Sequence, residues 1–123
     1  MSLIIDSKET GPESISFSLQ GEIDQHSYES LEETLTQATE GGLFKIRIEL
    51  SKVSYISSAG IGVLVGCAGR VANESEGSLE LLSPSQSVMN VLDSMGFSQF
   101  FTIISGPAQQ APEGTLQRVA GQA

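Results

Sequence analysis

The sequence predicts an α/β domain: a mixed sheet of four or five strands with helices mostly on one face. Three observations carry this. From residue 43 onward, runs of strand character alternate with runs of helical character, the order that parallel crossovers produce. Gly41-Gly42, Gly77 and Gly96 punctuate those runs. The first two strand-like runs are separated only by a turn, close enough in sequence to pair antiparallel.

Leu3-Ile4-Ile5 reads as a short first strand, and Lys8 to Glu13, with Gly11-Pro12, as a turn. Ser14 to Gln20 alternates polar and apolar residues, the period of a half-buried strand. Gly21-Glu22-Ile23-Asp24 leaves that strand. Tyr28, Leu31, Leu35 and Ala38 then recur at three- and four-residue spacing, one apolar stripe of a helix. Glu29, Glu32 and Glu33 suit the positive end of its dipole, Ser27 is the expected N-cap, and Gly41-Gly42 ends it. Leu43 to Leu50 is the next strand, with Phe44, Ile46, Ile48 and Leu50 on one face. A second helix starts near Ser57 or Ser58 and reaches about Asn73. It is apolar nearly all round and keeps Gly62, Gly66 and Gly69, each a cost of roughly 1 kcal/mol to a helix. That predicts burial and a close approach to the sheet. Ser78 to Leu82 is a fourth strand. Ser83-Pro84-Ser85 opens a third helix with a stripe of Val88, Val91 or Leu92, and Met95; Phe100 to Ile104 is a last short strand. Residues 105–123, rich in Gly, Pro, Ala and Gln, lack a core pattern and form a tail, with a short helix over 113–120.

At 123 residues the chain is one domain, long enough for a core without staples. Six basic against fifteen acidic residues give a formal charge of −9. The basic residues are scattered along the sequence, so neither nucleic acid nor an anionic membrane surface is an expected partner. Cys67 is the sole cysteine, which excludes an internal disulfide and a cysteine-based zinc site. The longest nearly apolar run, 59–69, is far short of the roughly 20 residues of a spanning helix. With no basic-then-apolar leader, the expected location is cytoplasmic.

The chemistry concentrates where a strand hands over to a helix, at Tyr55-Ile56-Ser57-Ser58-Ala59-Gly60-Ile61-Gly62. The first N–H groups of a helix lack partners and carry partial positive charge. A serine there can cap the helix, carry a phosphate, or offer its hydroxyl to a partner. Gly60 and Gly62 invite a dinucleotide fingerprint, but the third glycine would fall at position 65, which is Val. A hydrolase would use Ser58, His26 and Asp24. The Gly-x-Ser-x-Gly elbow is absent, however, and Asp24 and His26 lie two apart, too close for the usual base and orienter. Glu29, Glu32 and Glu33 have no histidine partner and read as a solvated helix face rather than a metal site. No catalytic residue, cofactor or metal is expected.

Three segments carry a family resemblance over about residues 3–104: Leu19-Gln20-Gly21-Glu22-Ile23-Asp24, the run Ile48 to Ile61, and Leu92-Asp93-Ser94-Met95-Gly96-Phe97 with Phe100. Together they resemble the STAS domain, in particular the free-standing bacterial anti-sigma factor antagonists. The resemblance implies a STAS fold over 1–104 and a non-enzymatic switch. The unphosphorylated protein binds an anti-sigma factor that is also a serine kinase and so frees the sigma factor. Phosphorylation breaks the complex, and a phosphatase resets it. The family's phosphorylated serine matches Ser58. Glu22, Asp24, Ser57, Ala59, Gly60 and Gly62 would join Ser58 on the partner surface. Ser57 stands where the family has Asp, Ala59 where it has Ser or Thr, and Glu49 where it often has Asp. The alternatives are a scaffold or lipid-transport-linked STAS module without phosphate control, and a nucleotide or small-ligand binder.

Overall fold

A computed structural model describes residues 3–104. The chain runs β1 (Leu3–Gly11), β2 (Ser14–Ile23), α1 (Tyr28–Glu40), β3 (Lys45–Ile56), α2 (Ser58–Ala72), β4 (Ser78–Leu82), α3 (Gln86–Ser94) and β5 (Thr102–Ile104). The five strands lie in the order β1-β2-β3-β4-β5. β1 pairs antiparallel with β2, and every later neighbour is parallel. Each parallel crossover carries one helix and moves one strand in the same direction. Right-handed crossovers of that kind put all three helices on one face. The expected mixed sheet with one-sided helices is therefore the observed architecture.

The core lies between that face and the helices. Ile15, Phe17 and Leu19 of β2 and Ile46, Ile48 and Leu50 of β3 alternate inward. Leu31 and Leu35 of α1, Ile61, Leu64 and Cys67 of α2, Leu81 of β4, and Val88 and Leu92 of α3 close over them. Burial pushes the Cys67 thiol pKa up, against a smaller opposing pull from the Arg70 guanidinium. The opposite sheet face is polar. There Arg47 pairs with Glu80 at 2.8 Å and Lys45 with Glu76 at 3.3 Å, both exposed pairs that stabilise little.

Several expectations are corrected. β1 runs on to Gly11, because Lys8 pairs with Ser16, Glu9 with Ile15 and Gly11 with Ser14, leaving only Pro12-Glu13 as the turn. The pairing overrides the turn-like composition. Ser27 precedes α1 but does not cap it; its hydroxyl points back into the preceding loop. β3 is longer than expected, reaching Ile56, whereas β5 begins only at Thr102. Phe97, Phe100 and Phe101 instead form an edge-to-face chain of rings before β5, with Phe101 in the core. Met95 lies outside the buried stripe of α3, at 41% exposure. The short helix expected over 113–120 lies outside the described residues.

The largest correction concerns α2. Gly62, Gly66 and Gly69 are exposed, and a methyl group on Gly62 or Gly69 would meet nothing within 4 Å. They do not press on the sheet. With Ser58 they form a stripe at four-, four- and three-residue spacing along the solvent side of the helix. The glycine that does approach the sheet is Gly60. A Cβ there would lie 2.6 Å from Ile23 Cγ2 and 2.8 Å from Ile56 Cγ1. Only glycine lets the first turn of α2 lie flush on the ends of β2 and β3.

Candidate functional site

The ends of β2 and β3 are parallel neighbours, with Ile23 opposite Ile56, so the segments that follow them share one edge. The Ser57 N–H donates to the Ile23 carbonyl at 2.8 Å and ties the start of α2 to the loop after β2. This bond brings the Glu22–Asp24 segment and the Ser57–Ser58 corner together.

The two serines divide the work. Ser57 is extended, and its hydroxyl accepts from the Gly60 N–H at 3.2 Å, so it is the N-cap of α2. Ser58 is the first residue of the helix. It is exposed, and its hydroxyl makes no hydrogen bond among the described residues. The simpler role open to Ser58, capping, is thus taken by its neighbour. Ala59 is half-buried, Gly60 is buried beneath the corner, and Gly62 continues the exposed stripe from Ser58. Gly60 shapes the site from below, whereas Gly62 offers bare helix surface.

Across the edge, the loop after β2 is held by its own hydrogen bonds. The Ser27 hydroxyl donates to the Glu22 carbonyl at 2.7 Å and accepts from the Asp24 N–H at 3.0 Å. The Asp24 carboxylate accepts from the His26 backbone N–H at 2.9 Å. That bond, first of all, holds the Asp24 carboxyl below its ordinary pKa, outweighing the opposing effect of desolvation. The Ser27 hydroxyl also lies 3.3 Å from Asp24 Oδ1, but its single proton is engaged by the nearer Glu22 carbonyl, so its help is the weaker. Asp24 therefore orders the loop through the main chain of His26, not through its imidazole. Glu22 and Asp24 are half-buried and His26 is exposed.

Two residues at this edge stand in places the sequence reading did not assign them. Ser27 is buried and organises the loop, and Tyr55 is 48% exposed at the end of β3. The run Ser51 to Ile56 breaks the alternation of Ile46, Ile48 and Leu50, and that break was the available signal. Among the described residues no group of three or more His, Cys, Asp or Glu could hold a metal ion, and no helix is long and apolar enough to cross a membrane.

Known proteins resemble this chain in sequence and in fold. The anti-sigma-B factor antagonist of Staphylococcus epidermidis is 28% identical over 86 residues, 70% of this chain and 79% of that protein. An anti-sigma factor antagonist from Mycobacterium paratuberculosis has the same fold, with a TM-score of 0.75 at 17% identity, over 87% of this chain and 89% of that one. Unphosphorylated SpoIIAA superposes with a TM-score of 0.69 at 21% identity, over 87% of this chain and 93% of its own. The phosphorylated form of the Bacillus protein gives 0.66 at 21% identity, over 83% and 92%. The model of the STAS domain matches residues 7–109, most of the sequence. Fold, motif and match agree: this chain belongs to the STAS domain family.

Proposed function

We propose that the protein is an anti-sigma factor antagonist, a binding module rather than an enzyme, switched off by phosphorylation of Ser58. Relatives that it matches in sequence are anti-sigma-B factor antagonists, and SpoIIAA, which shares its fold, has been solved in both unphosphorylated and phosphorylated forms. The observation that carries the reading is the division between the two serines. Ser57 caps α2, and Ser58 stands exposed with an uncommitted hydroxyl at the positive end of a 15-residue helix.

The physical consequence is a switch that leaves the fold intact. A phosphate on Ser58 brings roughly −1.5 to −2 charges to the helix N-terminus, where the dipole favours an anion. A partner packed against Ser58 and the bare Gly62, Gly66 and Gly69 surface meets that charge without compensation. Within the domain the phosphate is tolerated; across the interface it is not. Glu22, Asp24, Ser57 and Ala59 flank the contact, and Gly60 supports it. The partners in this reading are an anti-sigma factor with serine kinase activity and a phosphatase that removes the phosphate. Residues 1–104 form the STAS unit and 105–123 a tail.

The test uses the anti-sigma factor kinase encoded nearest this gene. Incubation with ATP should place phosphate on Ser58, located by mass spectrometry, and Ser58→Asp should lose binding that Ser58→Ala keeps. Phosphate at another residue, or a Ser58→Asp protein that binds like wild type, would sink the proposal. Equal binding by both variants would instead describe a docking module without phosphate control.

A further inference from the structure

We infer that Tyr55 is the aromatic anchor of the partner-contacting edge, turned outward by a second bulge in β3. The inference rests on the proposed antagonist function and names a further residue of the same surface.

The register of β2 against β3 carries the argument. Ser18 pairs with Glu49 but Gln20 with Lys52, so β3 advances three residues while β2 advances two. Gly21 pairs with Val53 but Glu22 with Tyr55, so β3 advances two residues while β2 advances one. β3 thus holds two extra residues within eight. The first reverses the alternation: Ile46, Ile48 and Leu50 point inward, and then Val53 does. Had β3 continued regularly from Val53, Tyr55 would point into the core and Ile56 outward. The second bulge, at Ser54, exchanges them. Ile56 is 1% exposed and packs against Gly60, while Tyr55 is 48% exposed on the uncovered face. Bulges of this kind re-aim side chains beside functional sites.

The Tyr55 side chain has no hydrogen bond or ring contact among the described residues. Single exposed apolar residues are ordinary on protein surfaces. This one differs because a regular strand would have buried it, and because of what surrounds it. It lies opposite Glu22 in register and three residues before Ser58. Ile4, 51% exposed, pairs with Gln20 on the same open face. From strand spacing and rise it lies about 12 Å from Tyr55. An aromatic ring with Glu22 opposite it in register suits a partner with an apolar pocket rimmed by basic side chains. Tyrosine is a favoured anchor in such interfaces. Lys52, exposed below Tyr55, gives the lower margin the opposite sign.

The test measures binding of wild type, Tyr55→Ala, Tyr55→Phe and Ser58→Asp to the same gene-adjacent anti-sigma factor, with thermal melts of each variant. Tyr55→Ala should weaken binding at least about tenfold with an unchanged melt, and Tyr55→Phe should restore most of it. If Tyr55→Ala binds within threefold of wild type while Ser58→Asp does not bind, the anchor is refuted and the phosphoswitch stands. If Tyr55→Ala binds weakly while Ser58→Asp binds normally, the anchor stands and the switch falls. Failure of wild type to bind this factor overturns both.

Discussion

Replacing Gly60 with Ala isolates the fit that positions the Ser57–Ser58 corner. The new Cβ would lie 2.6 Å from Ile23 Cγ2 and 2.8 Å from Ile56 Cγ1. Carbon atoms rest about 3.5–4.0 Å apart, so roughly 1 Å must open on two sides at once. Neither the Ile23 methyl nor the Ile56 methylene can move easily, because the two residues are 0% and 1% exposed. Overpacking of this size costs about 1–3 kcal/mol. The helical preference of Ala over Gly offsets at most about 1 kcal/mol. Gly62→Ala is the control: the same change, two residues along the same helix, where a Cβ meets nothing within 4 Å. There only the propensity gain remains. The two variants should therefore differ by about 1–3 kcal/mol, Gly60→Ala being the less stable. At about 4–8 °C of melting temperature per kcal/mol for a domain of this size, the gap is readily resolved. Urea titrations followed by circular dichroism measure it, with equal slopes confirming a common two-state transition. A Gly60→Ala protein as stable as Gly62→Ala would refute the close approach of α2 to the strand ends.

Ser57→Ala removes the acceptor of the Gly60 N–H and should cost about 0.5–2 kcal/mol in the same titration, whereas Ser57→Asp should keep the cap and cost nothing. An Ala variant as stable as wild type would return the capping role to Ser58. The Asp24 carboxyl, held below its ordinary value of 3.8, stabilises the loop above that value and loses its effect as pH falls through the lower folded value. The His26 amide resonance should follow this titration with a midpoint under 3.8, and a midpoint at or above it would contradict the Asp24–His26 bond.

What the sequence disclosed follows from locality. The start of α2, the strand Ser78–Leu82 and the stripe Leu31-Leu35-Ala38 depend on nearby residues, and periodicity finds them. The glycines of α2 misled because a helix apolar nearly all round has no legible face. The stripe 58-62-66-69 was present, but its orientation is set by where the helix lies on the sheet. The Ser27 hydroxyl went to the Glu22 carbonyl five residues back, a choice fixed by loop geometry rather than composition. The outward turn of Tyr55 depends on the pairing of β2 with β3 and cannot be read from either strand alone. At the proposed site, the family resemblance pointed to Ser58, but only the hydrogen bond from Gly60 to Ser57 divided capping from exposure.

The strictly sequential strand order has a kinetic consequence. Every strand joins one made just before it, so no sheet pairing waits for a distant segment, and loop-closure entropy stays low for a largely parallel sheet. A chain emerging from its N-terminus can add each crossover to a growing edge without rearrangement. The Ser58 corner needs only β2, β3 and α2, so it can assemble before the last third of the domain is synthesised. Among the described residues β5 is the last strand to join, and it pairs with β4 alone.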